Sequence, residues 1–84
     1  MPDNYSMDIE FYDDEDTAGS DHPFEFHEFS HPVPVPNVSE EVVVGGRGED
    51  FSMVRGTIKR RKFMYYSVDS KLRVMLYLTG VENA

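Results

Sequence analysis

His22, His27 and His31 lie within ten residues of one another, with Glu25 and Glu28 between them. Imidazole and carboxylate are the groups that hold zinc or nickel, so this cluster is the first candidate for chemistry. The spacing argues against it. On a strand His27 and His31 share a face but stand about 13 Å apart, too far for one ion, and His22 points the other way. Pro23 and Pro32 stop the helix that would bring side chains four residues apart together. No metal is expected.

Covalent and acid–base chemistry find no better footing. No serine sits in a Gly-x-Ser-x-Gly elbow. Gly45-Gly46-Arg47-Gly48 lacks the lysine and the following helix of a phosphate-cradling loop. The acids are numerous, but they crowd a stretch expected to be flexible, where nothing would split their pKa values into acid and base roles. The expectation is a protein that is not an enzyme and uses no cofactor.

Recognition chemistry is better represented, in two segments of opposite sign. Residues 1–50 carry fourteen acids against one base, and residues 51–84 carry seven bases against two acids, within a formal net charge of −8. Such sorting points to an interaction tail, or equally to acids that solubilise the chain or fold back over its own basic strand. In the acidic half, Asp8, Glu10, Asp13, Asp14, Glu15 and Asp16, together with Phe11, are the candidate contacts, and Tyr5, Ile9 and Tyr12 the apolar anchors. Carboxylates around aromatic rings suit a protein partner with a basic surface, approached by long-range attraction. If that partner normally grips nucleic acid, the segment would act as a nucleic-acid mimic.

The alternative reading lies in the basic half. Arg55, Lys59, Arg60, Arg61 and Lys62 precede Tyr65 and Tyr66, which puts positive charge beside stacking rings, as single-stranded nucleic-acid platforms do. Phosphate binding gains from counterion release, and the fourteen nearby acids oppose it. Nucleic acid is the second choice of partner.

The elements that must carry these residues are strands. In Lys71–Leu78, Leu72, Val74, Leu76 and Leu78 alternate with Lys71, Arg73, Met75 and Tyr77, the period of a strand. Phe51–Leu78 reads as two or three strands in all: Phe51–Ile58 is a strand, with Gly56 marking strong bending or a close backbone approach, and Phe63–Val68 continues extended. Ser67–Lys71 supplies turn residues, and Gly80 is expected to end the last strand. Asn37–Val44 leads into another strand, before a glycine turn. In Pro23–Pro36, Phe24 and Phe26 share a face and Phe29 falls out of step, which suggests a bulge or a change of pairing. Pro32, Pro34 and Pro36 allow pairing on one side only, as an edge strand or a polyproline-like connection.

Within residues 1–21, Met7, Ile9 and Phe11 alternate as on a strand, whereas Tyr5, Ile9 and Tyr12 would line a helix. The organisation expected is an acidic, flexible segment over 1–21, a small β-barrel over 22–80 and a tail over 81–84. The fold class is all-β: a strongly bent, five-stranded antiparallel sheet or barrel of SH3-like or OB-like type. No apolar run is long enough to span a membrane, and Met1–Asp8 lacks the marks of a signal peptide. With no cysteine, a reducing cytoplasm, of a bacterial cell or a phage-infected host, is the expected location.

Pro34-Val35-Pro36-Asn37-Val38-Ser39-Glu40-Glu41-Val42, then a glycine turn and a Phe-x-Met-Val-x-Gly-x-Ile strand, resembles the opening of small SH3-like barrels of bacteria and phages. There a Pro-x-Val-Gly-Asp/Glu-x-Val segment leads into the first long hairpin. Ser39 stands where that pattern has glycine. The resemblance spans about residues 32–78 and implies a fold, not an activity. In type, without a shared motif, a small acidic cysteine-free chain is also similar to phage-encoded inhibitors such as anti-CRISPR proteins.

Overall fold

The computed structural model describes residues 5–14, 22–45 and 53–84. These form five strands: β1 (Ser6–Asp13), β2 (Glu25–Phe29), β3 (Glu41–Gly45), β4 (Met53–Tyr66) and β5 (Lys71–Asn83), with no helix among the described residues. The sheet order is β2-β1-β5-β4-β3. It is one mixed, strongly curved sheet, nearly closed into a small barrel.

β5 is the middle strand and is buried on both sides. Leu72, Val74, Leu76 and Leu78 face the interior, while Met75 and Tyr77 are covered on the opposite face. β1 runs parallel to it, in register from Ser6↔Lys71 to Asp13↔Leu78. Met7 and Ile9 therefore lie beside Leu72 and Val74, and these four, with Ile58, Leu76 and Leu78, form the main core. The other pairs, β1–β2, β3–β4 and β4–β5, are antiparallel.

Two expectations change here. Ser6–Asp13 is not part of a separate segment preceding the barrel but an interior strand between β2 and β5. The all-antiparallel sheet becomes mixed because that strand pairs parallel to β5.

The proline segment explains how a five-stranded sheet closes over its core. Residues 32–37 form no strand, and Val33 and Val35 pack inward on the core as the chain crosses from β2 to β3. This is the polyproline-like connection: alternate prolines keep it extended while the two valines between them supply apolar contact. Asn37–Glu40 is a turn, closed by Glu40 N–H donating to Asn37 O at 3.1 Å, not the start of the strand. Ser39 adopts φ 78° there, the left-handed conformation that glycine favours.

Gly56 meets the expected close approach: a Cβ at that position would lie 2.9 Å from Leu78 Cδ2 and 3.3 Å from Thr79 O. Opposite it, Gly80 and Val81 share the place of one residue, since Arg55 pairs with Glu82 and Thr57 with Thr79. Gly80 has φ 64° and forms a bulge within β5 in place of ending it. A second bulge, at Lys59, lets the chain run from Met53 to Tyr66 as the single strand β4, with Ser67 and Val68 in the turn that follows; residues 51 and 52 lie outside the described residues. In β2 it is Glu25, His27 and Phe29 that turn inward, while Phe26, and Phe24 just before the strand, are exposed. Phe29 pairs with Met7 in an unbroken register, so the expected bulge is absent. The turn expected at Gly45-Gly46-Arg47-Gly48 lies, beyond Gly45, outside the described residues.

Candidate interaction surface

The charged residues meet on the outer face of the sheet. Parallel pairing sets Asp8, Glu10 and Tyr12 of β1 alongside Arg73, Met75 and Tyr77 of β5, and β4 adds Arg60, Lys62, Met64 and Tyr66. Asp8 pairs with Lys71 at 3.0 Å. Glu10 receives Arg73 Nε at 2.5 Å and Nη2 at 2.9 Å, a two-pronged contact, and the Tyr12 hydroxyl also donates to it. Asp14 holds both Lys59, at 3.2 Å, and Arg60, at 3.0 Å. The acidic strand is thus turned onto the chain's own cations.

These contacts set the local ionisation. The Arg73 hydrogen bonds hold Glu10 below its usual range, against the opposing effect of burial. Burial first, then the Glu10 carboxylate, pushes the Tyr12 phenol up to about 12. Lys59 and then Arg60 lower Asp14, and Asp8 raises Lys71. A favourable ion pair stabilises the charged form of each partner.

The apolar anchors are occupied as well. Ile9 belongs to the main core, and Tyr12 is buried in a smaller outer-face cluster with Met75 and Tyr77. Tyr12 stacks on Tyr77 at 4.9 Å between ring centres, and the Arg60 guanidinium caps Tyr77 at 3.9 Å. Tyr5 packs edge-on against Tyr65, and Phe11 meets Phe24 and His27. Asp13 is half-buried at the end of β1. Glu15 and Asp16 lie outside the described residues. His22 and His31 are exposed, and no group of three or more His, Asp or Glu among the described residues could hold a metal ion.

The outer half of β4 is different. β3 covers β4 only from Met53 to Thr57, and the Asn37–Glu40 turn takes up Ile58 through Ser39 N–H to Ile58 O (2.8 Å) and Ile58 N–H to Glu40 O (3.0 Å). From Lys59 to Tyr66 the strand pairs with β5 alone among the described residues. Its other edge presents backbone N–H and C=O groups at every second residue. Comparison with protein-family models, with characterised proteins and with solved structures finds no match for this chain.

Phe63, Met64, Tyr65 and Tyr66 are all exposed, Phe63 by 48%, on both faces of the strand. Lys62 is exposed and enters no ion pair among the described residues, and Arg61 donates to Pro36 O at 3.2 Å while lying over the Phe63 ring. The remaining basic residues named from the sequence are engaged within the chain: Lys59 and Arg60 by Asp14, and Arg55 by Glu82 at 2.8 Å. Sequence reasoning identified this ribbon as basic and aromatic. It missed the open edge, because edge status depends on how far β3 reaches, and a strand's own residues do not encode that length. No helix among the described residues is long and apolar enough to cross a membrane.

Proposed function

We propose that this protein is a non-enzymatic protein–protein interaction module that takes an extended strand of another polypeptide along the free edge of β4, over Lys59–Tyr66. The observation that carries this reading is an eight-residue edge that no other described strand pairs with, flanked by exposed Phe63, Met64, Tyr65 and Tyr66. An exposed apolar edge is a template for strand addition, in which main-chain hydrogen bonds supply affinity and alternate side chains supply selectivity. A proposal centred on the acidic strand has less support, since Asp8, Glu10 and Asp14 face cations of the same chain. A nucleic-acid mimic needs such carboxylates free to enter a basic groove. The cysteine-free chain suits work in a reducing cytoplasm.

The test is affinity capture from the native host with the wild-type chain and with a Phe63→Ser, Tyr66→Ser double variant that folds normally by circular dichroism. Proteins held by the wild type should be lost with the variant. Retention of the same set by both would defeat the reading. A second reading, single-stranded nucleic-acid binding through Lys59, Arg60, Arg61, Lys62, Tyr65 and Tyr66, is favoured by the same rings, which are free to stack. It is tested by the salt dependence argued in the Discussion.

A further inference from the structure

The order of residues along the free edge narrows the partner, given that this edge is the docking element. Lys59–Tyr66 reads as four cations followed by four apolar or aromatic residues. Such a block order is complementary to itself when reversed, and antiparallel pairing reverses it. We propose that the strand accepted along this edge is β4 of a second copy of the same chain, paired antiparallel about a two-fold axis at Phe63.

The register follows from geometry. A two-fold axis normal to the sheet leaves each side chain on its own face, so residues that oppose each other must lie an even number of positions apart. Beyond the Lys59 bulge, Arg61, Phe63 and Tyr65 share the inner face with Leu76, Val74 and Leu72 respectively. Arg60, Lys62, Met64 and Tyr66 share the outer face. Centring on Phe63 sets Phe63 against Phe63, Arg61 against Tyr65, Lys62 against Met64 and Arg60 against Tyr66. Arg60, Arg61 and Lys62 then each face a ring or a thioether, contacts worth forming in a partly dried interface, while Lys59 lies in the bulge outside this register. The two Lys62 ammonium groups are only diagonal neighbours, about 7–8 Å apart at their Cβ atoms. Centring one residue earlier would put Lys62 directly against Lys62, which is destabilising.

The competing edges are less suited. β2 offers five residues that include Glu25 and Glu28, so copies meeting there would bring carboxylates together. β3 offers five residues around exposed Val43 and begins with Glu41. The β4 edge is longer, and it alone joins opposite chemistries in one register. In the resulting dimer the two five-stranded sheets become one continuous sheet across the axis.

The chain has no cysteine, so single cysteines report proximity without interference. Phe63→Cys should cross-link to a dimer under mild oxidation, because opposed residues in an antiparallel pair bring their Cα atoms to about 4.5–5.5 Å. Val68→Cys, at the 95% exposed tip of the β4–β5 turn, should cross-link at least tenfold more slowly. In parallel, sedimentation of the unmodified chain over a concentration series should show a monomer–dimer equilibrium. Phe63→Asp, which opposes two carboxylates, should weaken it by about tenfold or more. Equal cross-linking at Phe63 and Val68, faster cross-linking from Val43→Cys, or a unmodified chain that stays monomeric throughout would overturn the self-pairing. If the monomeric chain still loses its captured proteins on changing Phe63 and Tyr66, only the choice of partner fails. If neither dimer nor capture depends on those residues, the docking edge itself fails.

Discussion

Glu10 links β1 to β5 through Arg73 on the outer face of the sheet, and its ionisation carries a pH signature. Arg73 holds its folded-state carboxyl below the ordinary value of 4.5. A depressed carboxylate contributes stability that is complete above the unfolded value and is lost as pH falls through the lower folded value. The chain should therefore lose stability on acidification below about pH 4.5, and Glu10→Gln should flatten that limb in urea titrations at stepped pH. Tyr12 acts at the other extreme, with the opposite sign. Its phenol is raised from 10.0 to about 12, so the unfolded chain ionises first in that interval and stability falls as pH rises across it. An ultraviolet phenolate titration should show one tyrosine ionising last. Gly56 sets a steric prediction: Gly56→Ala forces a methyl against Leu78 and the Thr79 carbonyl, both in the adjacent strand. Overpacking of this kind costs about 1–3 kcal/mol, readable as a lowered urea midpoint with unchanged slope.

Among the elements, β1 shows what one sequence can and cannot disclose. The alternation of Met7, Ile9 and Phe11 was visible, but the carboxylates between them match a solvated segment equally well. What decides is β5, some sixty residues away in the chain. Its outer face offers Lys71 and Arg73 at the positions where Asp8 and Glu10 need partners. Cross-strand pairing is a long-range fact and leaves no local mark. β5 was legible because its leucine and valine period is strict, and Gly56 was legible because glycine inside a strand has few other uses. The sequence leaves open whether β4 is one strand or two, because a bulge at Lys59 shifts the alternation by one. The placement of β1 yields a direct prediction. Deleting residues 1–13 removes Met7 and Ile9 from the core, worth about 3–6 kcal/mol by burial, and uncovers one edge of β5. A domain this small has a total stability of order 5–15 kcal/mol. The truncated chain should lose its cooperative urea transition, whereas removal of a mere tail would leave midpoint and slope unchanged.

For the molecule as a whole, the net charge of −8 conceals a neutralised outer face. Asp8, Glu10, Asp14 and Glu82 engage Lys71, Arg73, Lys59, Arg60 and Arg55, and among the described cations only Arg61 and Lys62 stand outside an ion pair. This arithmetic separates the two functional readings. Binding to a single strand weakens with salt at a slope of about −0.7 per phosphate neutralised. Two available cations would set a slope near −1.4 on a plot of log affinity against log salt, while all four of Lys59–Lys62 would set about −2.8. The expected outcome with a labelled single strand is binding that is weak at low salt and no steeper than the first value, since Asp14 competes for Lys59 and Arg60 at contact distance. A slope near the second would mean that Asp14 lets go and the basic ribbon serves phosphate. In that event Asp14→Asn should tighten binding further, by removing the competing carboxylate. Strand addition has the opposite dependence: its main-chain hydrogen bonds and ring contacts are little screened, and two chains of net charge −8 repel less as salt rises. Association through β4 should therefore hold or strengthen between low and physiological salt, in the range where nucleic-acid binding declines.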